Sequence, residues 1–95
     1  MSAYVILDIT VNDPTLFEKY KRLAPATIAA YGGKYLARGG VSEALEGDWT
    51  PNRIVILEFD SAETAKTWLE SPEYREARAM RHRAAISHGI VVAGE

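Results

Sequence analysis

Cysteine is absent from the 95 residues, which removes disulfides, thiolate metal sites and cysteine nucleophiles together. Histidine occurs only twice, too few to complete a structural zinc site without thiolates. No apolar run approaches the roughly 20 residues needed to span a bilayer. The first residues, Met1-Ser2-Ala3-Tyr4, carry no basic region leading into an apolar segment. An excess of basic charge is missing too: the formal net charge is −2 with both signs interspersed, so there is no electrostatic footprint for nucleic acid. These absences lead us to expect a cytoplasmic protein with no metal, no cofactor, no membrane association and no nucleic-acid partner.

At this length the chain is one domain, residues 1–95, and it buries only about 60–65% of the surface its unfolded form exposes. Small domains compensate with disulfides, metals or oligomerisation. Composition has closed the first two routes, so self-association is expected.

Residues 3–11, rich in β-branched side chains, read as a strand ending at Asn12-Asp13-Pro14. Asp13 is placed to cap a helix and Pro14 to occupy its first turn. Leu16, Tyr20, Leu23 and Thr27, beside Phe17, Ala24 and Ile28, have amphipathic helical spacing. Pro25 lacks an N–H for the ladder and is expected to kink or divide that helix. Gly32-Gly33 ends it. A strand over Lys34 to Arg38 follows, then a long turn over residues 39–52 and a strand from Arg53 to Phe59. Asp60-Ser61 opens a helix over Ala62–Glu70. Ser71-Pro72 stops it and caps another over roughly Glu73–Ala85, before a last strand over His88–Ala93. The order β-α-β-β-α-β is that of an α+β, ferredoxin-like domain: a four-stranded antiparallel sheet with the helices on one face.

Strand parity separates the two faces. Val5, Leu7, Ile9 and Val11, with Val55, Leu57 and Phe59, form wholly apolar sets assigned to the helices. The opposite, mixed face carries Ile6, Leu36, Ile54 and Ile56, too much apolar surface to leave open, so two sheets are expected to pack face to face in a homodimer.

The same parity puts Asp8, Arg38 and Glu58 on the mixed face. They are candidates either for ligand binding and acid–base chemistry or for an ion network setting dimer register. Trp49 and Arg53 flank Pro51. Trp49 reads as a lid or as a plug at one end of the domain. Arg53 reads as a grip for an anion or as an ion-pair partner of Glu46 or Asp48. His88 suits a proton shuttle, though no Ser or Cys stands in a nucleophile motif. His82, Arg75 and Arg78 share a helical stripe interleaved with Glu70, Glu73 and Glu76, the pattern of a solvated face. Tyr20, Trp68, Tyr74 and Met80 have core spacing. The glycine pairs lack the spacing of a phosphate loop.

Taken in order, Tyr31-Gly32-Gly33, Arg38-Gly39-Gly40, Leu45-Glu46-Gly47, Trp49, Arg53, Glu58-Phe59, Ala65, Trp68, Ser71-Pro72-Glu73-Tyr74 and Arg81 resemble the domain of unknown function 1330 family across nearly the whole chain. The resemblance implies a dimeric α+β barrel. That superfamily includes antibiotic-biosynthesis-type monooxygenases, muconolactone isomerases, chlorite dismutases and stress-responsive barrel proteins. It supplies no catalytic residues, and the histidine that holds haem in some relatives has no identifiable position here.

Three readings follow. The first is a homodimer binding a small, partly apolar molecule between sheet and helices or between the two sheets, with Asp8, Arg38, Trp49, Arg53 and Glu58 as candidate ligand-binding residues. As an enzyme it would need no cofactor and would move a proton with a carboxylate. The second is a cofactor-less monooxygenase of the antibiotic-biosynthesis type. The third is a non-catalytic structural or regulatory dimer.

Overall fold

Strict alternation decides the first strand. In β1 (Ala3–Val11), Ala3, Val5, Leu7 and Ile9 turn inward and are buried, while Tyr4, Ile6 and Asp8 are half-buried on the opposite side. In the computed structural model, which describes residues 1–95, there follow α1 (Pro14–Ala30), β2 (Lys34–Arg38), β3 (Arg53–Phe59), α2 (Ala62–Leu69), α3 (Pro72–Ala84) and β4 (Ala85–Ala93). The strands form one antiparallel sheet in the order β2-β3-β1-β4, with the most apolar strand, β1, inside it. Both helical connections pack on one face. The expected α+β, ferredoxin-like architecture is present, its second connection made of two helices.

Each helix starts where its cap residue dictates. The side chains of Asp13, Ser61 and Ser71 accept hydrogen bonds from the amides of Leu16, Thr64 and Tyr74, and Pro14 and Pro72 occupy first turns where an N–H is not needed. At the end of α1, Gly32 takes φ +72° and its amide reaches Ala29 O, while the Gly33 amide reaches Ile28 O, a Schellman termination.

Gly33 is there for a second reason. A Cβ at this position would lie 2.5 Å from Phe59 Cε1 and 2.8 Å from Ile28 Cγ2, both in the core. Gly33→Ala is therefore expected to cost about 1–3 kcal/mol, lowering the melting temperature by roughly 5–20 °C in thermal denaturation. A variant melting with the wild type would mean that Phe59 yields freely.

The core is a row of aromatics linking every helix to the sheet. The Trp68 ring stacks on Tyr74 at 4.2 Å between centroids and tilts against Phe59 at 5.3 Å. The Tyr74 hydroxyl meets that of Tyr20 at 2.8 Å, and burial pushes the Tyr20 phenol well above its ordinary pKa. Met80 packs at the edge of this cluster.

Three local expectations are corrected. Pro25 does not divide α1, which runs unbroken from Pro14 to Ala30. The carbonyl that Pro25 leaves without a helical donor belongs to Lys21, four residues back. Arg38 Nη2 donates to that oxygen at 2.8 Å, so a side chain from the sheet replaces the missing bond.

The last strand begins at Ala85, not His88. Asn12 N and Asp13 N both donate to Ala84 O, at 2.8 and 2.9 Å, and Ala85 pairs directly with Val11. Pairing with the full length of β1 overrides the helical preference of Ala85.

The third correction concerns β2. Tyr35 lies opposite Leu57, but Ala37, not Leu36, lies opposite Ile56, so Leu36 is an extra residue in a β-bulge. Beyond it the parity inverts. Arg38 comes opposite Val55 and faces the helices, away from the mixed face.

Candidate functional site

The structure separates Asp8, Arg38 and Glu58. Arg38 stands on the helix side with its guanidinium 4.6 Å from the Tyr35 ring centroid. Asp8 and Glu58 share the open face, but Glu58 pairs across from Tyr4, four residues along β1 from Asp8 and thus about 13 Å away. Glu58 contacts Lys34 at 3.3 Å, and hydrogen bonding from Ser2, then from Lys34, holds its carboxyl below the usual range.

Asp8 fastens the long connection between β2 and β3 to the open face. Its two oxygens accept from Trp49 Nε1 at 2.8 Å and from the Asn52 amide at 3.0 Å, while Asn52 Nδ2 donates to Thr10 Oγ1 at 2.8 Å. The Trp49 ring stays exposed. Arg53 makes no ion pair with Glu46 or Asp48. It lies opposite Ile9 on the helix side, 5.4 Å from the Phe17 ring centroid, and Gly39 packs against its guanidinium. His88 is the fourth residue of β4, on the open face across from Asp8.

Arg38 and Arg53 both face a gap lined by Phe17, Tyr20 and Tyr35, but it measures only about 10 Å³. That is room for about one water molecule.

Space for a ligand lies elsewhere, and the helix-facing residues of β4 explain why. Where β1 presents Val5, Leu7 and Ile9, β4 presents Ala85, Ser87, Gly89 and Val91 in the same register. These small side chains leave a cavity of about 420 Å³ between the sheet and the α2–α3 pair. Val5, Leu7 and Val91 form its apolar floor, Trp68 and Leu69 its roof, and Arg78, Arg81 and His82 one wall. Leu7 leans into the place a side chain at Gly89 would take, its Cδ2 2.5 Å from a Cβ built there.

The wall is cationic and under-partnered. Arg81 is 5% exposed, and the one hydrogen bond of its side chain to the protein runs from Nε to the Tyr74 hydroxyl at 3.3 Å. No carboxylate lies within ion-pair distance of it. Arg78 Nη1 meets Glu70 at 3.2 Å near the surface, but its Nε is buried without an acceptor, as is Ser87 Oγ. Partial burial, then Arg81 and Arg78, hold His82 below its ordinary pKa. The lining contains no Asp or Glu, so the expected proton transfer by a carboxylate has no group here to perform it.

A pocket between sheet and helices is one of the two expected places, but sequence reasoning missed the residues that line it because the Arg/His stripe of α3, interleaved with glutamates, reads as solvated. The available signal was the small alternate residues of the last strand, which no apolar count detects. Nowhere do three or more His, Asp or Glu side chains gather closely enough to hold a metal ion. No helix is long and apolar enough to cross a membrane.

No curated protein matches the chain. Among solved structures, a protein of unknown function from Rhodopseudomonas palustris is 21% identical with a TM-score of 0.72, covering 96% of this chain and 80% of its own. A dimeric ferredoxin-like protein of unknown function from Thermobifida fusca is 17% identical at TM-score 0.66, covering 98% and 91%. SnoaB, a cofactor-independent oxygenase from Streptomyces nogalater, is 13% identical at TM-score 0.64, covering 99% and 93%. At these identities the likeness is one of fold. The family match runs over residues 2–95, and the protein belongs to the family described as domain of unknown function (DUF1330).

Proposed function

We propose that this protein is a homodimeric barrel that binds a small, partly apolar molecule in the cavity between the sheet and the α2–α3 pair of each protomer. The observation that carries the reading is the cavity itself. Its 420 Å³ falls in the range of small-molecule sites, and an apolar floor faces a few convergent polar groups. The open sheet face and the dimeric state of fold relatives support the assembly. Of the five residues singled out in the sequence, Arg38 serves α1 and Asp8, with Trp49, secures a loop. We read both as scaffold around the site. Arg53 and Glu58 border the gap and the open face, outside the cavity. If the protein is an enzyme, His82 at the rim is the group suited to proton transfer near neutrality.

Filling the cavity from β4 tests the reading. Gly89→Leu pushes a side chain into the space that Leu7 and the ligand share. It is expected to abolish the thermal stabilisation that small aromatic or aliphatic ligands give the wild type, while leaving a folded protein. If no such ligand stabilises the wild type, or if Gly89→Leu responds to ligands as the wild type does, the cavity is not the binding site.

A further inference from the structure

We propose that the ligand of this cavity is a carboxylic acid on an otherwise apolar skeleton, with its carboxylate seated on the terminal nitrogens of Arg81. The inference rests on the cavity being the ligand site and names what it selects. A buried arginine is costly to desolvate unless an opposite charge and further hydrogen bonds offset the loss. Arg81 is buried, its side chain donates only through Nε to Tyr74, and it has no carboxylate partner in the protein. The terminal nitrogens of Arg81 keep contact with the solvent in the cavity, and two other polar atoms around it, Arg78 Nε and Ser87 Oγ, are buried without a partner. Buried polar groups left unmatched call for an explanation. Here the unmatched groups are donors, or a hydroxyl able to donate, around a space whose lining holds no acidic side chain. What the cavity lacks is acceptor oxygen and negative charge.

The shape of that deficit favours a carboxylate. With Nε committed to Tyr74, the paired terminal nitrogens of Arg81 are the edge left for a ligand, and two parallel N–H donors match two carboxylate oxygens. The remaining walls, Val5, Leu7, Trp68, Leu69 and Val91, offer little to a multiply charged or sugar-like molecule and much to an aromatic or branched aliphatic body. Lys66 at the mouth extends the positive field outward and would draw an acid in.

The test compares 2-naphthoate with 2-naphthamide, which has the same skeleton but no charge, together with inorganic phosphate. Binding is followed at pH 7 by calorimetry and by the indole N–H signal of Trp68. The acid is expected to bind the wild type at least tenfold more tightly than the amide, with phosphate weaker than the acid. Arg81→Gln, which keeps a donor but not the charge, is expected to remove that preference. Without ligand it should melt no lower than the wild type, because the buried charge is gone. Acid and amide binding equally would overturn the carboxylate assignment and leave the cavity reading standing. Phosphate binding more tightly than naphthoate would also overturn it. If neither naphthyl compound binds, the cavity reading fails along with the assignment. An Arg81→Gln protein that melts lower yet keeps the acid preference would make Arg81 structural. The comparison in the wild type decides even if that variant does not fold.

Discussion

Trp68→Ala is expected to remove about 3–5 kcal/mol of stability, the range for truncating a large buried aromatic. In a domain whose whole margin is of the order of 5–15 kcal/mol, that is about a fifth or more of what holds it folded. The expectation comes from where the ring sits. Trp68 is 1% exposed and lies between Tyr74, at 4.2 Å, and Phe59, at 5.3 Å, so it joins α2 to both α3 and β3. Its Nε1 also donates to Thr27 Oγ1 at 3.1 Å, reaching α1. Alanine would leave a void that three helices cannot collapse around without moving Ser71, whose hydroxyl is bonded to Trp68 O at 2.7 Å and caps α3. Because the same ring roofs the cavity, ligand binding should be lost with the stability. Trp68→Phe keeps most of the stacking and gives up the bond to Thr27, a loss of about 1 kcal/mol in that hydrogen bond. Urea denaturation at fixed protein concentration measures both variants. A Trp68→Ala protein within about 1 kcal/mol of the wild type would show that the aromatic row does not organise the core.

How far the sequence could be read follows from which interactions are local. Caps, glycine stops and strand parity are written within a few residues of where they act. Asp13, Ser61 and Ser71 do what their positions promise, and Val55, Leu57 and Phe59 face the helices as alternation requires. Failure begins where one residue changes the phase of many. The bulge at Leu36 inverts everything after it in β2, and nothing in Lys34-Tyr35-Leu36-Ala37-Arg38 announces it. That inversion carried Arg38 from a supposed charge cluster to Lys21 O, and with it went the idea that Asp8, Arg38 and Glu58 act together. Pro25 and Arg38 illustrate the same point from the other side. A helix-breaking residue survives because a side chain 13 positions later takes the free carbonyl, a compensation visible only in three dimensions. The cavity was illegible for a related reason. A site made by what is missing, the side chain of Gly89, leaves no motif behind.

Ile6→Asp is expected to convert the proposed homodimer into monomers at micromolar concentration, raising the dissociation constant at least 100-fold. The reason lies in one row of the sheet. Ala37, Ile56, Ile6 and Ile90 sit side by side across β2, β3, β1 and β4 on the face away from the helices, an apolar band that crosses the whole sheet. Ile90 and Ile86 are 62% and 60% exposed in the single chain, and Leu36 and Val92 flank the band at 51% and 45%. Four strands spaced about 4.8 Å apart, over some 25 Å of length, offer a face of roughly 500 Å² in plan. The loop that Asp8 fastens over one end adds Val41, Leu45 and Trp49, all exposed. Together they approach the roughly 800 Å² per partner of a stable interface. Two such sheets would pack about 10 Å apart with the isoleucine rows in contact. An aspartate at position 6 would then lie at the centre with no cation in its row, and an unpaired charge there costs several kcal/mol. On a monomer's open face it meets water and costs little, so the variant should stay folded while it dissociates. Ile90→Asp, on the edge strand, is expected to act in the same direction with less risk to the sheet. Light scattering coupled to size-exclusion chromatography reads the result against the 10.5 kDa chain mass. Wild-type protein eluting as a monomer would end the dimer proposal, and both aspartate variants remaining dimeric would place the interface on another surface.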